Sequence, residues 1–163
     1  MTYRLAGEHV AGCLVGLREL GEAQIAELRL AREAIASRSA DVARIDRETL
    51  RRRLRAGEVV LIDVRPPGEY AAAHLPGAVS VPGGGLDAFV ASLPKKLEIV
   101  AYCRGPYCML AVDAVRALQR RGRKARRFED GVAEWQAAGL PLEYRSPASP
   151  HQSERIRKED RNS

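Results

Sequence analysis

The stretch Tyr102-Cys103-Arg104-Gly105-Pro106-Tyr107-Cys108-Met109 places two thiols, a guanidinium and a turn-forming Gly-Pro pair in one short segment. Upstream, Glu98 to Tyr102 reads as a strand; downstream, Met109 to Gln119 carries apolar residues at helical spacing. Cys103 therefore lies at a strand-to-helix junction, facing the amide-rich positive end of a helix. An anion is favoured there, and a thiol's pKa can fall below its free value of about 8.5. The chemistry this suits is nucleophilic attack by a thiolate. The competing reading is an inert buried thiol, which this junction disfavours.

The elements that must position Cys103 follow from texture. Asp46 caps a helix through Leu50 and Leu54 that stops at Gly57, and Val59-Val60-Leu61-Ile62 follows as a buried strand. Pro66 or Pro67 opens a helix through Tyr70 to Ala73. A short strand at Ala78 to Val81, a Gly83-Gly84-Gly85 loop and a helix from Leu86 to Leu93 lead to the Glu98 strand. After the cysteine loop come a helix to Arg121, a strand from Lys124 to Phe128 and a last helix from Gly131 to Ala138. Strands alternating with helices imply an α/β fold with a largely parallel central sheet flanked by helices on both faces. Sites in such sheets lie at the carboxyl ends of strands, where Cys103 is.

Three segments separate. Residues 1–41 hold a long amphipathic helix over about Glu8 to Ala36, with Val10, Leu14, Leu17, Leu28 and Ile35 broadly on one side, and a polar linker. Residues 42–144 form the α/β domain. Residues 145–163 are Pro, Ser and charge, and are expected to be a disordered tail. The long helix needs a partner, and its separation by the linker favours a second copy of the chain over the main domain.

With 163 residues and 45% hydrophobic content, the chain suffices for one domain with extensions. Its apolar runs are short and its N-terminus lacks the order of a signal peptide, so no membrane span is expected and the cytoplasm is the expected location. Three cysteines, two in one loop, make no disulfide framework. His9, His74 and His151 are scattered, so neither metal nor cofactor is expected. The net charge of +6 comes largely from Arg51, Arg52, Arg53 and Arg55 and from Arg116 through Arg127. Solvated helix faces account for it better than a nucleic-acid patch, since few aromatics lie among these arginines.

Asp63-Val64-Arg65 with Glu69-Tyr70, the run Tyr70-Ala71-Ala72-Ala73-His74-Leu75-Pro76-Gly77-Ala78, and Phe128-Glu129-Asp130-Gly131 with Glu134-Trp135 occur in this order around the cysteine loop. Over about Ile45 to Leu142 the chain thereby resembles the rhodanese family of sulfurtransferases. The resemblance implies a rhodanese-like fold and an enzyme that takes a sulfane sulfur from thiosulfate or a thiol persulfide onto Cys103. The persulfide sulfur then passes to a thiol or other nucleophilic acceptor. It places the anion cradle in the loop residues Arg104, Gly105, Pro106, Tyr107, Cys108 and Met109, with Arg104 suited to an anionic donor. The partners it implies are small sulfur donors and thiol acceptors.

Many rhodaneses close this loop with a basic or hydroxyl residue, where this chain has Cys108. Related phosphatases and arsenate reductases use a longer loop ending in Arg; here that place holds Met109, which argues against phosphate-ester or arsenate chemistry. Cys108 is either a resolving thiol or a plain helix-start residue. Asp63, Arg65, Glu69 and His74 are supporting positions. Asp63 and Arg65 are expected to pair, His74 to be a satisfied structural histidine, and Glu69 to face the pocket. Trp135 is expected in the core, its indole needing a partner.

Thr2-Tyr3-Arg4-Leu5-Ala6 and the following helix look like the end of a wing strand and the dimerisation helix of ArsR-type winged-helix regulators, in whose rhodanese fusions a closely similar loop occurs. The resemblance implies a homodimer through the N-terminal helix. It includes no recognition helix, so DNA binding by this chain alone is not expected. The rival to an enzyme is a regulatory module, redox, persulfide or arsenic-linked, that reports through the Cys103/Cys108 pair. Cys13, on the apolar side of the helix, is expected in the core.

Overall fold

A computed structural model describes residues 5–144. Five short strands pair in parallel in the order β1-β5-β4-β2-β3: β1 is Arg44–Ile45, β2 Val59–Asp63, β3 Val79–Ser80, β4 Glu98–Tyr102 and β5 Ala125–Phe128. The two-residue β1, which the sequence pattern did not separate, and the equally short β3 form the edges. Such short edges offer little template for pairing with another chain.

The central strands are buried on both sides, as their near-continuous apolar sequences require. Ile99 and Ala101 of β4 point to one core with Ile62, Val112, Val115 and Leu118. Val100 and Tyr102 point to the other, with Leu61, Leu75, Phe128 and Trp135. Each fully buried Leu or Ile contributes about 1.5–3 kcal/mol relative to exposure, so these two layers hold the sheet.

Helices cover both layers. The first core is closed by α5 (Leu86–Ser92) and α6 (Leu110–Arg120). The second is closed by α3 (Arg47–Arg55), α4 (Pro67–Ala72) and α7 (Val132–Ala137). Asp46 caps α3 by accepting from the Thr49 amide at 2.8 Å. Trp135 is buried, and its indole N–H donates to Pro141 O at 2.8 Å. Arg51, Arg52 and Arg55 are exposed as expected, while Arg53 pairs with Glu58 and Glu98.

The long N-terminal helix is present as α1 (Glu8–Gln24). The amphipathic pattern that continues to Ala36 is broken at Ile25, whose extended backbone (φ −111°, ψ 110°) turns the chain into a second helix, α2 (Ala26–Arg38). Leu28 packs back on Gly21 across this turn, its Cδ1 3.0 Å from where a Cβ at Gly21 would stand. Within the chain, α1 lies along α7, so the hairpin has a partner in the main domain, which the linker pattern did not favour. Ala11 is the buried contact on α1, whereas Val10, Leu14 and Leu17 are 46%, 50% and 66% exposed, and Cys13 is exposed with them instead of in the core. No helix among the described residues is long and apolar enough to cross a membrane. The tail expected from Arg145 lies outside the described residues.

Candidate active site

Cys103 follows the last residue of β4 and is 1% exposed. The loop after it curls tightly: Cys108 N–H donates to Gly105 O at 3.1 Å, and Gly105 holds φ 129°, a backbone conformation that side chains disfavour. The amides of Gly105 and Ala111 face the Cys103 sulfur, and those of Arg104 and Leu110 face the Cys108 sulfur. Two sulfurs thus sit in one nest of backbone N–H groups, an arrangement that stabilises negative charge.

The Cys103 S–H donates to the carbonyl oxygen of Cys108 at 3.3 Å, and the two thiols govern each other's titration. Cys103 beside it pushes the Cys108 pKa down to about 5; burial opposes the shift and the Arg104 and Leu110 amides reinforce it. Cys108, with burial behind it, pushes the Cys103 thiol up. The pair therefore gives up its first proton well before its second, in two steps that belong to the pair. The thiolate is present above about pH 5 and is lost as pH falls through that value. In a Cys13→Ser background, thiolate absorbance is expected to titrate near pH 5, and Cys103→Ala should move the Cys108 step up by more than a unit. A step that stays near 5 would refute the coupling of the two thiols.

Arg104 does not project alone into solvent. Its guanidinium grips Glu69 of α4, with Nη2 to Oε1 at 2.5 Å and Nε equidistant at 3.0 Å from both carboxylate oxygens. That hydrogen bond raises the Arg104 pKa and partly neutralises the cation. Beside this pair opens a cavity of about 370 Å³ whose walls include Arg65, Ala72, Ala73, Val132 and Leu142, and to which Arg104 and Glu69 both contribute. Glu69 thus lines this cavity as the partner of Arg104, while Cys103 is not among its walls. Tyr107 turns the other way, its hydroxyl donating to Glu22 of α1 at 2.7 Å, and Met109 immediately precedes α6 without a side-chain cap.

Asp63, fully buried, receives Arg65 Nη2 on Oδ2 at 2.6 Å, Arg65 Nε on Oδ1 at 3.0 Å and the Tyr102 hydroxyl on Oδ2 at 2.6 Å. Burial would lower the Arg65 pKa, but the Asp63 bonds override it and hold it above the ordinary value. Arg65 continues to Ala73 O at 2.7 Å, and the Leu75 amide donates to the Tyr102 hydroxyl at 3.1 Å. The ends of β2 and β4 and the segment after α4 are thereby tied together next to Cys103. His74 is buried, with Nδ1 2.8 Å from Tyr70 O, its ring stacked on Tyr70, and Nε2 3.6 Å from Glu143. The carboxylate absent from its sequence neighbourhood is supplied in space, 69 residues away.

The sequence reading missed the groups that hold the loop from behind. Gly131 must be glycine: a Cβ there would lie 2.5 Å from the carbonyl carbon and oxygen of Arg104. Glu134 accepts from the Gly131 amide at 2.7 Å and pairs with Arg18 of α1, its carboxylate lying against Gly105. Arg127, assigned above to a solvated face, is 0% exposed and has the largest fully buried side chain among the described residues. A signal existed: in the strand Ala125-Arg126-Arg127-Phe128, alternation puts one arginine out and the next in. No cluster of potential metal ligands occurs among the described residues.

A family model described as Rhodanese-like domain matches residues 46–138, and the chain belongs to that family. The chain is 42% identical over 145 residues to the HTH-type transcriptional regulator Rv0324 of Mycobacterium tuberculosis, covering 89% of this chain and 63% of the regulator. It is 32% identical to a sulfurtransferase of Allochromatium vinosum, covering 60% of this chain and 92% of that protein. The thiosulfate sulfurtransferase of Pseudomonas aeruginosa superimposes with a TM-score of 0.58 at 25% identity, over 71% of this chain and 22% of that one. The chain thus spans under two thirds of the regulator's length. The family and these relatives support a function of the sulfurtransferase type.

Proposed function

We propose that the protein is a rhodanese-type sulfurtransferase in which Cys103 receives the sulfane sulfur as a persulfide and Cys108 holds the proton that this attack displaces. The observation that carries the reading is the place of Cys103 at the end of β4, in a curled loop where its S–H reaches Cys108 O at 3.3 Å and the Cys108 thiol stands beside it. As Cys103 attacks, its S–H proton passes to the Cys108 thiolate, leaving the nucleophile anionic at the moment of bond formation. With thiosulfate, the bond from the Cys103 sulfur to the outer sulfur forms as the bond to the sulfite sulfur breaks, and sulfite leaves with the electron pair. The persulfide anion is then held by the Gly105 and Ala111 amides. An acceptor thiolate attacks the terminal sulfur, carrying it away as a new persulfide; Cys103 leaves as a thiolate and regains its proton from Cys108.

Thiosulfate and a low-molecular-weight thiol persulfide are the donors to compare, with sulfite or thiol persulfide as the product measured. Turnover with neither donor, in protein whose Cys103 is reduced, would sink the proposal.

The same pair supports a second reading, a persulfide-responsive module. The Cys108 thiolate can attack the inner sulfur of the Cys103 persulfide, releasing hydrosulfide and leaving a 103–108 disulfide; the sulfane sulfur is reduced as the two thiols are oxidised. This reading is favoured by Tyr107 and Pro106 of the loop being bonded to Glu22 and Arg32 of the helical hairpin, and by the similarity to a transcriptional regulator. One equivalent of sulfide per chain followed by arrest distinguishes it from turnover.

The hairpin also supports the homodimer implied by the regulator resemblance. Val10, Leu14 and Leu17 recur at i, i+4 and i+7 on a face of α1 separate from Ala11 and Arg18, an apolar stripe that a second copy covers under two-fold symmetry. The chain is expected to sediment as a dimer and its Leu14→Glu/Leu17→Glu variant as a monomer; a monomeric parent chain would refute this.

A further inference from the structure

Arg127 stands beneath the cysteine loop with nothing in the reaction yet assigned to it. Its Nη2 donates to Pro106 O at 3.1 Å and lies 3.5 Å from Cys108 O, the same carbonyl that takes the Cys103 S–H. Its Nη1 reaches Ser39 Oγ and Glu129 Oε1, each only at 3.5 Å, and its buried Nε has no hydrogen-bond partner. Glu129 is the carboxylate that pairs with it among the described residues, and it is shared: Arg44 of β1 lies 3.4 Å from it and Arg32 of α2 3.8 Å. Arg32 also donates to Pro106 O at 3.3 Å. Three guanidinium groups thus meet one carboxylate behind a loop that holds an anionic sulfur pair.

An incompletely paired buried cation is costly unless an anion answers it. Here the answering anion is in the loop. We infer that Arg127 is a positioning residue for the sulfur site: it holds the Pro106 and Cys108 carbonyls and supplies the counter-charge that keeps the Cys103/Cys108 pair, and the persulfide formed on it, anionic. The inference rests on the loop being the reactive site. When Cys103 loses its proton, the Cys108 carbonyl loses a donor and points its lone pairs at an anion; Arg127 then satisfies that oxygen and offsets the repulsion. Burial pushes the Arg127 pKa down, while the charges of Glu129 and Cys103 push it back up and those of Arg44 and Arg32 oppose. Within the loop, Arg104 is the other cation that acts on the Cys108 sulfur.

The test measures the pH midpoint of iodoacetamide alkylation at Cys103 and Cys108 in full-length chain carrying Cys13→Ser, beside sulfur transfer by the same samples. Arg127→Met should raise the midpoint by about one unit, a tenfold loss of thiolate below it, while Arg127→Lys restores most of it. Glu129→Gln, which removes the anion competing for the arginines, should lower the midpoint. A role confined to packing would not move the midpoint in opposite directions. If Arg127→Met does not fold, Glu129→Gln decides: a midpoint unchanged or raised overturns the inference, as does an unchanged midpoint in folded Arg127→Met. Because alkylation needs no sulfur donor, absence of turnover in the parent chain with these midpoint shifts would overturn the sulfurtransferase reading and leave the role of Arg127 standing.

Discussion

Cys103→Ser is expected to abolish sulfur transfer, with a loss of at least about a thousandfold in turnover and no persulfide detectable on the protein by mass spectrometry. A serine hydroxyl keeps the hydrogen bond to the Cys108 carbonyl but is a far weaker nucleophile at neutral pH and cannot carry a sulfane sulfur. The fold should survive, because the substituted atom is smaller and the strand and helix on either side are held by Ile99, Ala101, Val112 and Val115 in one core and Val100 and Tyr102 in the other. Cys108 remains in the variant as the loop's other thiol. Residual transfer above that floor, with sulfur found on Cys108, would move the nucleophile to the second thiol and refute the assignment to Cys103.

The second large effect falls on stability. Asp63→Ala leaves the Arg65 guanidinium, 6% exposed, with only the half-exposed Glu69 carboxylate at 4.0 Å, and frees the Tyr102 hydroxyl. Removing one member of a buried ion pair costs about 3–5 kcal/mol, because the remaining charge is stranded out of water. Chemical denaturation should show that loss as a lower midpoint at nearly unchanged slope. A cost under about 1 kcal/mol, the range of exposed pairs, would show that water reaches Arg65. Sulfur transfer should fall as well, since the same triad ties the end of β4, from which the cysteine loop departs, to the end of β2 and to Leu75. The Asp63 and Arg65 positions are thus structural supports of the site, one step removed from the chemistry.

Legibility varied with the range of the interaction. The strands and helices of the main domain were readable because hydrophobic period, caps and glycine stops are local signals, as Asp46, Gly57 and the Val59–Asp63 run illustrate. The two-residue β1 was not, because its strand character comes from pairing with β5, not from its own residues. The break at Ile25 was missed because a helical repeat continues on both sides of it. In the site, Cys103 was legible from its place between a strand and a helix. Glu134, Gly131 and the Arg18 contact were not, since nothing in the order of residues says which of them approach the loop.

By itself the sequence determined the order of the elements, the parallel α/β class and the position of a cysteine at the carboxyl end of a central strand, all consequences of local patterning. Only the tertiary structure decided the state of that cysteine: that it titrates together with Cys108, that Arg104 is held by Glu69, and that Arg127 is buried beneath it with Arg32 of the hairpin alongside. The physical reason is that charge and burial depend on every group within a few ångströms, and folding brings those groups from residues as far apart in the chain as Arg18 and Glu134.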